Sequence, residues 1–278
     1  MPVPHRGVQN GPWTIGSARR SIGGHGQYEV LRPDGAHHGG TNGFGRATAE
    51  LLVAGGARVL VTGRTATSLE ETRATLGERA AVVRSDAASL SDTVALADRA
   101  RAELGALDLL FVNAGITRSA SLAETDEAVY DEVFATNTKG AYFTVQALAP
   151  LIVDGGAVVM STSVANVKGL PLTSVYAASK AALRSMVRTF ARELLPRGIR
   201  VNAISPGPID TGVLERSLPA DVVERSRAQM VANNPMARFG RNEEVARAVA
   251  FLAFDATYTT GARAAGGRRR LAAALTHR

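Results

Sequence analysis

A tyrosine and a lysine stand four residues apart in Tyr176-Ala177-Ala178-Ser179-Lys180, inside a stretch whose apolar spacing predicts a helix near 174–195. Four residues make about one helical turn, so both side chains share one face. An ammonium beside a phenol favours the phenolate, so the pair predicts a Tyr176 pKa drawn down toward neutrality, as a proton-transferring group requires. Ser163 follows the apolar run Ala157–Ser161 and lies close enough in a strand–helix unit to reach the same strand ends. Its hydroxyl is the candidate to hold a substrate carbonyl.

A second group of residues has the chemistry of a phosphate cradle. Gly39-Gly40-Thr41-Asn42-Gly43-Phe44-Gly45-Arg46 opens directly into the apolar stretch Ala47–Ala54. Glycines there let a backbone approach a pyrophosphate, and the positive end of the helix favours its charge. A purely structural loop is the competing reading. The next apolar run ends at Gly63-Arg64, where dinucleotide sites carry either an acid for the ribose hydroxyls or an arginine for a 2′-phosphate. Gly63 supplies no acid and Arg64 supplies the cation, although a solvated arginine after a strand reads the same way. Asp86, followed by Ala87, closes a third run and is either an acceptor for an adenine amino group or a surface-turn aspartate.

These residues need elements to hold them, and the chain supplies an alternation. Strands are predicted at Arg58–Thr62, Ala80–Arg84, Leu107–Val112, Ala157–Ser161 and Arg200–Ile204, and helices near 43–54, 89–104, 125–149, 174–195 and 242–254. Short, nearly all-apolar strands between helices point to a parallel sheet covered on both faces. The fold class is therefore α/β, a single Rossmann-like doubly wound sheet. Pro206, Pro208 and Pro219 punctuate a longer excursion that reads as a lid. Its apolar residues Ile209, Leu214, Leu218, Met230, Met236 and Phe239 suit an apolar or part-apolar substrate, or equally a packed core.

Over residues 39–261 these motifs resemble the classical short-chain dehydrogenase/reductases, in the family's order: the glycine loop, Asn113-Ala114-Gly115, Asn137, Ser163, Tyr176, Lys180 and Pro206-Gly207. The resemblance implies Tyr176 as general acid/base, Ser163 as carbonyl anchor, and Lys180 as ribose ligand and depressor of the Tyr176 pKa. It implies Asn137 as holder of a relay water near Lys180, where a helix-kink asparagine is the alternative. Asn113, Ala114 and Gly115 would form the cofactor floor. Pro206, Gly207, Ile209 and Thr211 would form the nicotinamide-side loop, alongside Gly39, Thr41, Asn42, Gly43, Phe44, Gly45, Arg64, Asp86 and Ala87. The implied activity is hydride transfer between NADP(H), preferred over NAD(H), and a ketone or secondary alcohol, with neither metal nor flavin. Homo-oligomers are common in the family.

Composition narrows the alternatives. The chain has no cysteine, which removes disulfides and thiolate chemistry and fits a reducing, cytoplasmic setting. No apolar run has the length of a membrane span. The net charge of +7 invites a nucleic-acid reading. Its location argues against one: residues 1–38 hold four arginines against two acids, residues 262–278 hold five arginines and no acid, and the body is neutral. A nucleotide-binding protein without turnover is the stronger rival, opposed by the intact Asn137, Ser163, Tyr176 and Lys180 set.

The resemblance stops at both ends, so the chain divides into an atypical segment 1–38, a body 39–261 and an arginine-rich tail 262–278. The family carries an apolar first strand, yet Arg32-Pro33-Asp34-Gly35-Ala36-His37-His38 precedes Gly39, and Pro, Asp and Gly are poor material for a central strand. The family's last strand ends in a Val-Asp-Gly-Gly pattern, yet Arg263-Ala264-Ala265-Gly266-Gly267-Arg268 stands there. Synonymous codons exist for which a one-base shift of frame turns the first segment into Gly-Arg-Thr-Ala-Leu-Ile-Thr and the second into Glu-Leu-Pro-Val-Asp-Gly-Gly. A divergent enzyme with unusual ends is the other account. The sequence as written predicts doubtful terminal strands and a poorly stable or slow protein.

Overall fold

Val59–Gly63, Leu107–Val112 and Arg200–Ser205 are buried along almost their whole lengths, which suits strands covered by helices on both sides. In a computed structural model, which describes residues 35–212, 214–215 and 220–266, they form the body of a seven-stranded parallel sheet. Its strands are β1 (Gly35–His38), β2 (Val59–Gly63), β3 (Ala80–Arg84), β4 (Leu107–Val112), β5 (Ile152–Ser161), β6 (Arg200–Ser205) and β7 (Arg263–Ala265). Their order across the sheet is β3-β2-β1-β4-β5-β6-β7. Strand order reverses between β1 and β4, and a crevice for a ligand opens at the carboxyl ends of the strands at such a point.

The helices are α1 (Gly43–Ala54), α2 (Ala66–Leu76), α3 (Leu90–Leu104), α4 (Glu127–Phe134), α5 (Ala141–Leu148), α6 (Ser174–Glu193), α7 (Ala220–Ala232) and α8 (Asn242–Ala250). Two apolar layers result. One packs α3, α5 and α6 through Leu96, Val145, Leu183 and Val187 onto Leu110, Val158 and Val201. The other packs α1 and α8 through Leu52, Val245 and Val249 onto Val61, Phe111 and Val159. At about 1.5–3 kcal/mol for each large apolar side chain buried, these layers hold the strand ends in place.

The helix expected near 125–149 runs without interruption from Glu127 to Leu148, but it is widened in its middle. A wide π turn at Ala135–Gly140 joins α4 to α5 and buries Thr136 and Asn137 against the sheet ends. The strands expected to be in doubt are present in the structure. β1 pairs with β2 and β4, with Ala36 opposite Leu60 and Leu110, and β7 pairs with β6, with Ala264 opposite Ile204. Backbone pairing explains this: the ladder is made by N–H and C=O groups, which Gly, Ala and His all carry, so the strand pairs although its side chains are not those of a usual buried strand. Arg32, Pro33 and Asp34 lie outside the described residues.

Candidate active site

The turn from β1 into α1 is built on glycine. Gly39 has φ +80°, and a Cβ there would come within 2.7 Å of the Ala114 backbone, so only glycine lets the loop lie on the end of β4. The loop is pinned from two sides: Gly39 N–H donates to Thr62 Oγ1 at 2.9 Å, and Asn113 Nδ2 donates to the Gly39 carbonyl at 2.8 Å. No acidic residue stands in the first turn of α1, which leaves the helix N-terminus positive toward the crevice. Gly39, Thr41, Asn42, Gly43, Phe44, Arg64, Asp86, Ala87, Asn113, Ala114, Gly115 and Thr211 line a cleft of about 330 Å³. Gly45 lies beneath the loop, where its missing side chain makes room for Gly39 and Asn113.

At the end of β2, a Cβ on Gly63 would fall 2.5 Å from the Thr41 side chain, so Thr41 occupies the place of an acid. Arg64 follows, exposed on the cleft wall beside Thr65 and Ser68. Thr65 caps α2, with its hydroxyl 2.7 Å from that of Ser68. Asp86 accepts from Ala88 N–H at 3.0 Å through Oδ1, a turn aspartate whose residue also borders the cleft. Two buried polar atoms, Ser85 Oγ and Asn113 Oδ1, have no partner in the protein, and both residues line this cleft. A polar ligand seated along it would satisfy them, so the residues fit a dinucleotide.

A second cleft of about 310 Å³ continues past Phe44, Gly115 and Thr211 to Thr117, Ser163, Tyr176, Lys180, Pro206, Gly207 and Ile209. Here the sequence-predicted groups meet. Ser163 caps the short turn Val164–Asn166 and accepts from Ala165 N–H at 3.1 Å, which leaves its hydroxyl hydrogen to donate into the cleft. The Tyr176 phenol shares this cleft with Ser163 and Thr117, whose hydroxyls favour its ionised form. Thr117 was not expected from the sequence. The signal was its place two residues after Asn113-Ala114-Gly115, at the rim of the same loop.

Electrostatics correct one expectation. Tyr176 is not drawn toward neutrality in this structure: dehydration of the phenol pushes its pKa up, and the hydroxyls of Ser163 and Thr117 only partly oppose that. Lys180 does not reverse the balance, because its Nζ lies 5.8 Å from the Tyr176 ring centre and donates to the Ser161 carbonyl at 2.9 Å. Burial pushes Lys180 itself down to about 8. Asn137 is buried behind the cleft in the π turn, where Oδ1 accepts from Ile116 N–H at 2.7 Å and Nδ2 donates to the Ile116 carbonyl at 2.9 Å and to Ser179 Oγ at 3.0 Å. A Cβ on Gly115 would meet Lys180 Nζ at 3.0 Å and Asn137 Oδ1 at 3.2 Å, so the bare glycine keeps a small polar space between them. Of the lid residues, Ile209, Leu214, Met230 and Phe239 wall the cleft, Met236 lines a separate cavity behind the loop, and Leu218 lies outside the described residues. Among the described residues no cluster of His, Asp and Glu can hold a metal, and no helix is long and apolar enough to cross a membrane.

Comparison with known proteins agrees with this geometry. A family model described as enoyl-(acyl carrier protein) reductase matches residues 39–265. A cis-4-hydroxycyclohexanecarboxylate dehydrogenase of Sinomonas cyclohexanicum is 40% identical over 231 residues, covering 81% of this chain and 90% of that one. An L-rhamnose 1-dehydrogenase (NAD(P)(+)) of Azotobacter vinelandii is 37% identical over 235 residues, covering 81% and 91%. Among solved structures, a short-chain dehydrogenase/reductase named glucose/ribitol dehydrogenase from Brucella melitensis superposes with TM-score 0.75 at 29% identity, covering 85% of this chain and 96% of that one. The chain belongs to the short-chain dehydrogenase/reductase family of NAD(P)-dependent oxidoreductases.

Proposed function

We propose that this chain interconverts a ketone and a secondary alcohol with NADP(H) in preference to NAD(H), Tyr176 moving the proton on the substrate oxygen. The observation that carries the reading is that Ser163 and Tyr176 line one cleft, which adjoins the crevice that begins at the glycine loop, with the Ser163 hydroxyl favouring the ionised phenol. A carbonyl oxygen placed between them would accept from both hydroxyls at once, which polarises the carbonyl and aligns it. The nicotinamide supplies the hydride. In the direction of reduction Tyr176 gives its proton to the oxygen as the C–H bond forms, and the raised pKa of the phenol keeps that proton in place until then.

Gly39, Thr41, Asn42, Gly43, Phe44 and Gly45 would seat the pyrophosphate, and Lys180 the nicotinamide ribose. Pro206, Gly207, Ile209 and Thr211 would hold the nicotinamide side. Gly63, pressed by Thr41, leaves no place for the acid that binds a ribose diol, and Arg64 with the N-terminus of α2 suits a 2′-phosphate. The named substrates of the relatives, a hydroxycyclohexanecarboxylate and L-rhamnose, share a hydroxyl-bearing carbon, and the walls Ile209, Leu214, Met230 and Phe239 favour an apolar substituent beside it.

The test is a panel of ketones and secondary alcohols assayed with NADPH and NADH for the parent, Tyr176→Phe and Arg64→Asp. Tyr176→Phe is expected to lose about a hundredfold or more in kcat while NADPH still binds. Arg64→Asp is expected to lower the NADPH:NADH ratio of kcat/KM at least about tenfold. Normal turnover by Tyr176→Phe, or an unchanged cofactor ratio in Arg64→Asp, rejects the corresponding assignment.

A further inference from the structure

The wall of the substrate cleft opposite Tyr176 comes from three separate stretches of chain: the loop after β6, helix α7, and the connection from α7 to α8. Backbone bonds tie the first to the third. Asp210 N–H donates to the Gly240 carbonyl and Gly240 N–H to the Pro208 carbonyl, both at 2.9 Å, with Asn242 Nδ2 reaching the Asp210 carbonyl at 3.0 Å. Helix α7 joins them through Arg227. Its guanidinium donates to Asp210 Oδ1 from Nη1 at 3.2 Å and from Nη2 at 2.8 Å, and its Nε lies 3.3 Å from Glu215 Oε1. It also sits 4.8 Å above the centre of the Phe239 ring.

Each group that Arg227 touches is a wall residue or the neighbour of one. Asp210 follows Ile209, Glu215 follows Leu214, Met230 stands one turn after Arg227 on α7, and Phe239 is itself in the wall. We infer that Arg227 is a specificity-determining positioning residue: it clasps the four apolar wall residues together and so sets the width of the substrate chamber. A planar fork suits this task, because it bonds two carboxylates in its plane and stacks on an aromatic face at the same time. The clasp is also breakable. Arg227 is 31% exposed, Asp210 50% and Glu215 46%, so water and salt screen these pairs and the wall can open to admit a substrate.

The substrate class that follows is a carbonyl or alcohol with a compact apolar substituent, selected by fit against a held wall rather than by a charge. This rests on the oxidoreductase reading of the cleft, so the test has one arm that needs no turnover. In the first arm, amide hydrogen exchange is followed for peptides covering residues 206–212 and 238–242 in the parent and in Arg227→Met, which keeps the length and removes the charge. Faster exchange by at least about threefold at Asp210 and Gly240 is expected in the variant and in the parent at high salt, with little further effect of salt on the variant. In the second arm, a series of ketones of increasing bulk is reduced with NADPH. Arg227→Met is expected to raise KM for the best compact substrate about fivefold to tenfold and to flatten the preference for it over bulky ones. The pH profile of kcat is expected to hold, and Arg227→Lys to recover part of the selectivity.

Unchanged exchange at Asp210 and Gly240 overturns the inference whether or not any substrate turns over. Faster exchange with unchanged KM and unchanged selectivity overturns the specificity role. A parent that reduces no ketone on the panel counts against the function proposed above, and the exchange arm still decides whether Arg227 holds the wall.

Discussion

Lys180 is a cation placed where water is scarce, and its stability signature has a definite sign. Burial lowers its pKa from 10.5 to about 8. Below about pH 8 it is protonated in both the folded and the unfolded chain, and the cost of burying the charge is borne in full. Between about 8 and 10.5 the folded chain has lost the proton while the unfolded chain keeps it, so stability rises with pH across that window. Tyr176 works against this only higher up, because its raised pKa makes the unfolded phenol ionise first, above 10. The clean interval is therefore about pH 8 to 10, worth at most about 3 kcal/mol at 1.36 kcal/mol per unit. Urea midpoints of the parent and Lys180→Met measured across that interval are expected to move apart, with the parent gaining relative to the variant as pH rises. Parallel curves would show that Lys180 titrates as a solvated amine. The same substitution is expected to weaken NADPH binding and turnover together. At this scale the sequence was legible in types and positions: Tyr176, Ser163 and Lys180 line one cleft, as their spacing implied, and the glycine loop lines the adjoining one. It was not legible in electrostatics, because the direction of the Tyr176 shift depends on how much water reaches the phenol and on where Nζ points.

Elements were legible where their apolar pattern was undiluted. Strands β2 to β6 and helices α1, α3, α6 and α8 stand within a few residues of their predicted places. Helix α2 was not foreseen, because its buried face holds Ser68 and Thr72 beside Leu69 and Leu76, and Thr72 hides its polarity by donating to the Ser68 carbonyl at 2.6 Å. The π turn that buries Asn137 was invisible for another reason: one extra residue per turn leaves the apolar spacing of the helices on each side intact. Arg200 belongs to this scale too. It opens β6, is buried, and donates from Nη1 to the carbonyls of Leu252 at 2.6 Å and Ala256 at 3.1 Å, and from Nη2 to that of Ala253. It thereby satisfies the carbonyl end of the turn after α8, far along the sheet from the cofactor crevice. Arg200→Met is expected to cost about 2–3 kcal/mol, since charge-assisted bonds are lost and carbonyls are left dry. NADPH affinity is expected to hold. A variant that melts like the parent, or that loses affinity in proportion to stability, would place Arg200 outside this role.

For the whole molecule, each of the two unusual ends contributes one strand to the described residues, and each strand has an atypical sequence for its place. Strand β1 carries Gly-Ala-His-His between β2 and β4, with His37 in register with Val61 and Phe111, and His38 with Val112. A central parallel strand normally contributes apolar contacts to both helix layers. At the far edge, Arg263 opens β7 and donates to Asn166 Oδ1 at 3.1 Å, while burial and the charges of Arg188 and Arg263 push the Arg184 guanidinium down from its ordinary value. The family match begins at residue 39, just after β1, and runs to the end of β7 at residue 265. A one-base shift of frame would account for both strands, since with suitable codons it yields Ala-Leu-Ile-Thr ahead of Gly39 and a glutamate in place of Arg263, and an acid there would turn a crowd of cations into an ion pair. A chain carrying Gly-Arg-Thr-Ala-Leu-Ile-Thr before Gly39 and Glu-Leu-Pro-Val-Asp-Gly-Gly after Ala262 is expected to melt on the order of 10 °C higher, from two further buried apolar side chains at about 1.5–3 kcal/mol each. It is also expected to bind NADPH more tightly, because the strand that feeds the phosphate loop is better anchored. Arg263→Glu alone is expected to recover a smaller part, and to lose that gain in high salt or when Arg184 is replaced by Met. Equal melting temperature and equal NADPH affinity in the parent and the rebuilt chain would establish the divergent ends as adaptations of this enzyme.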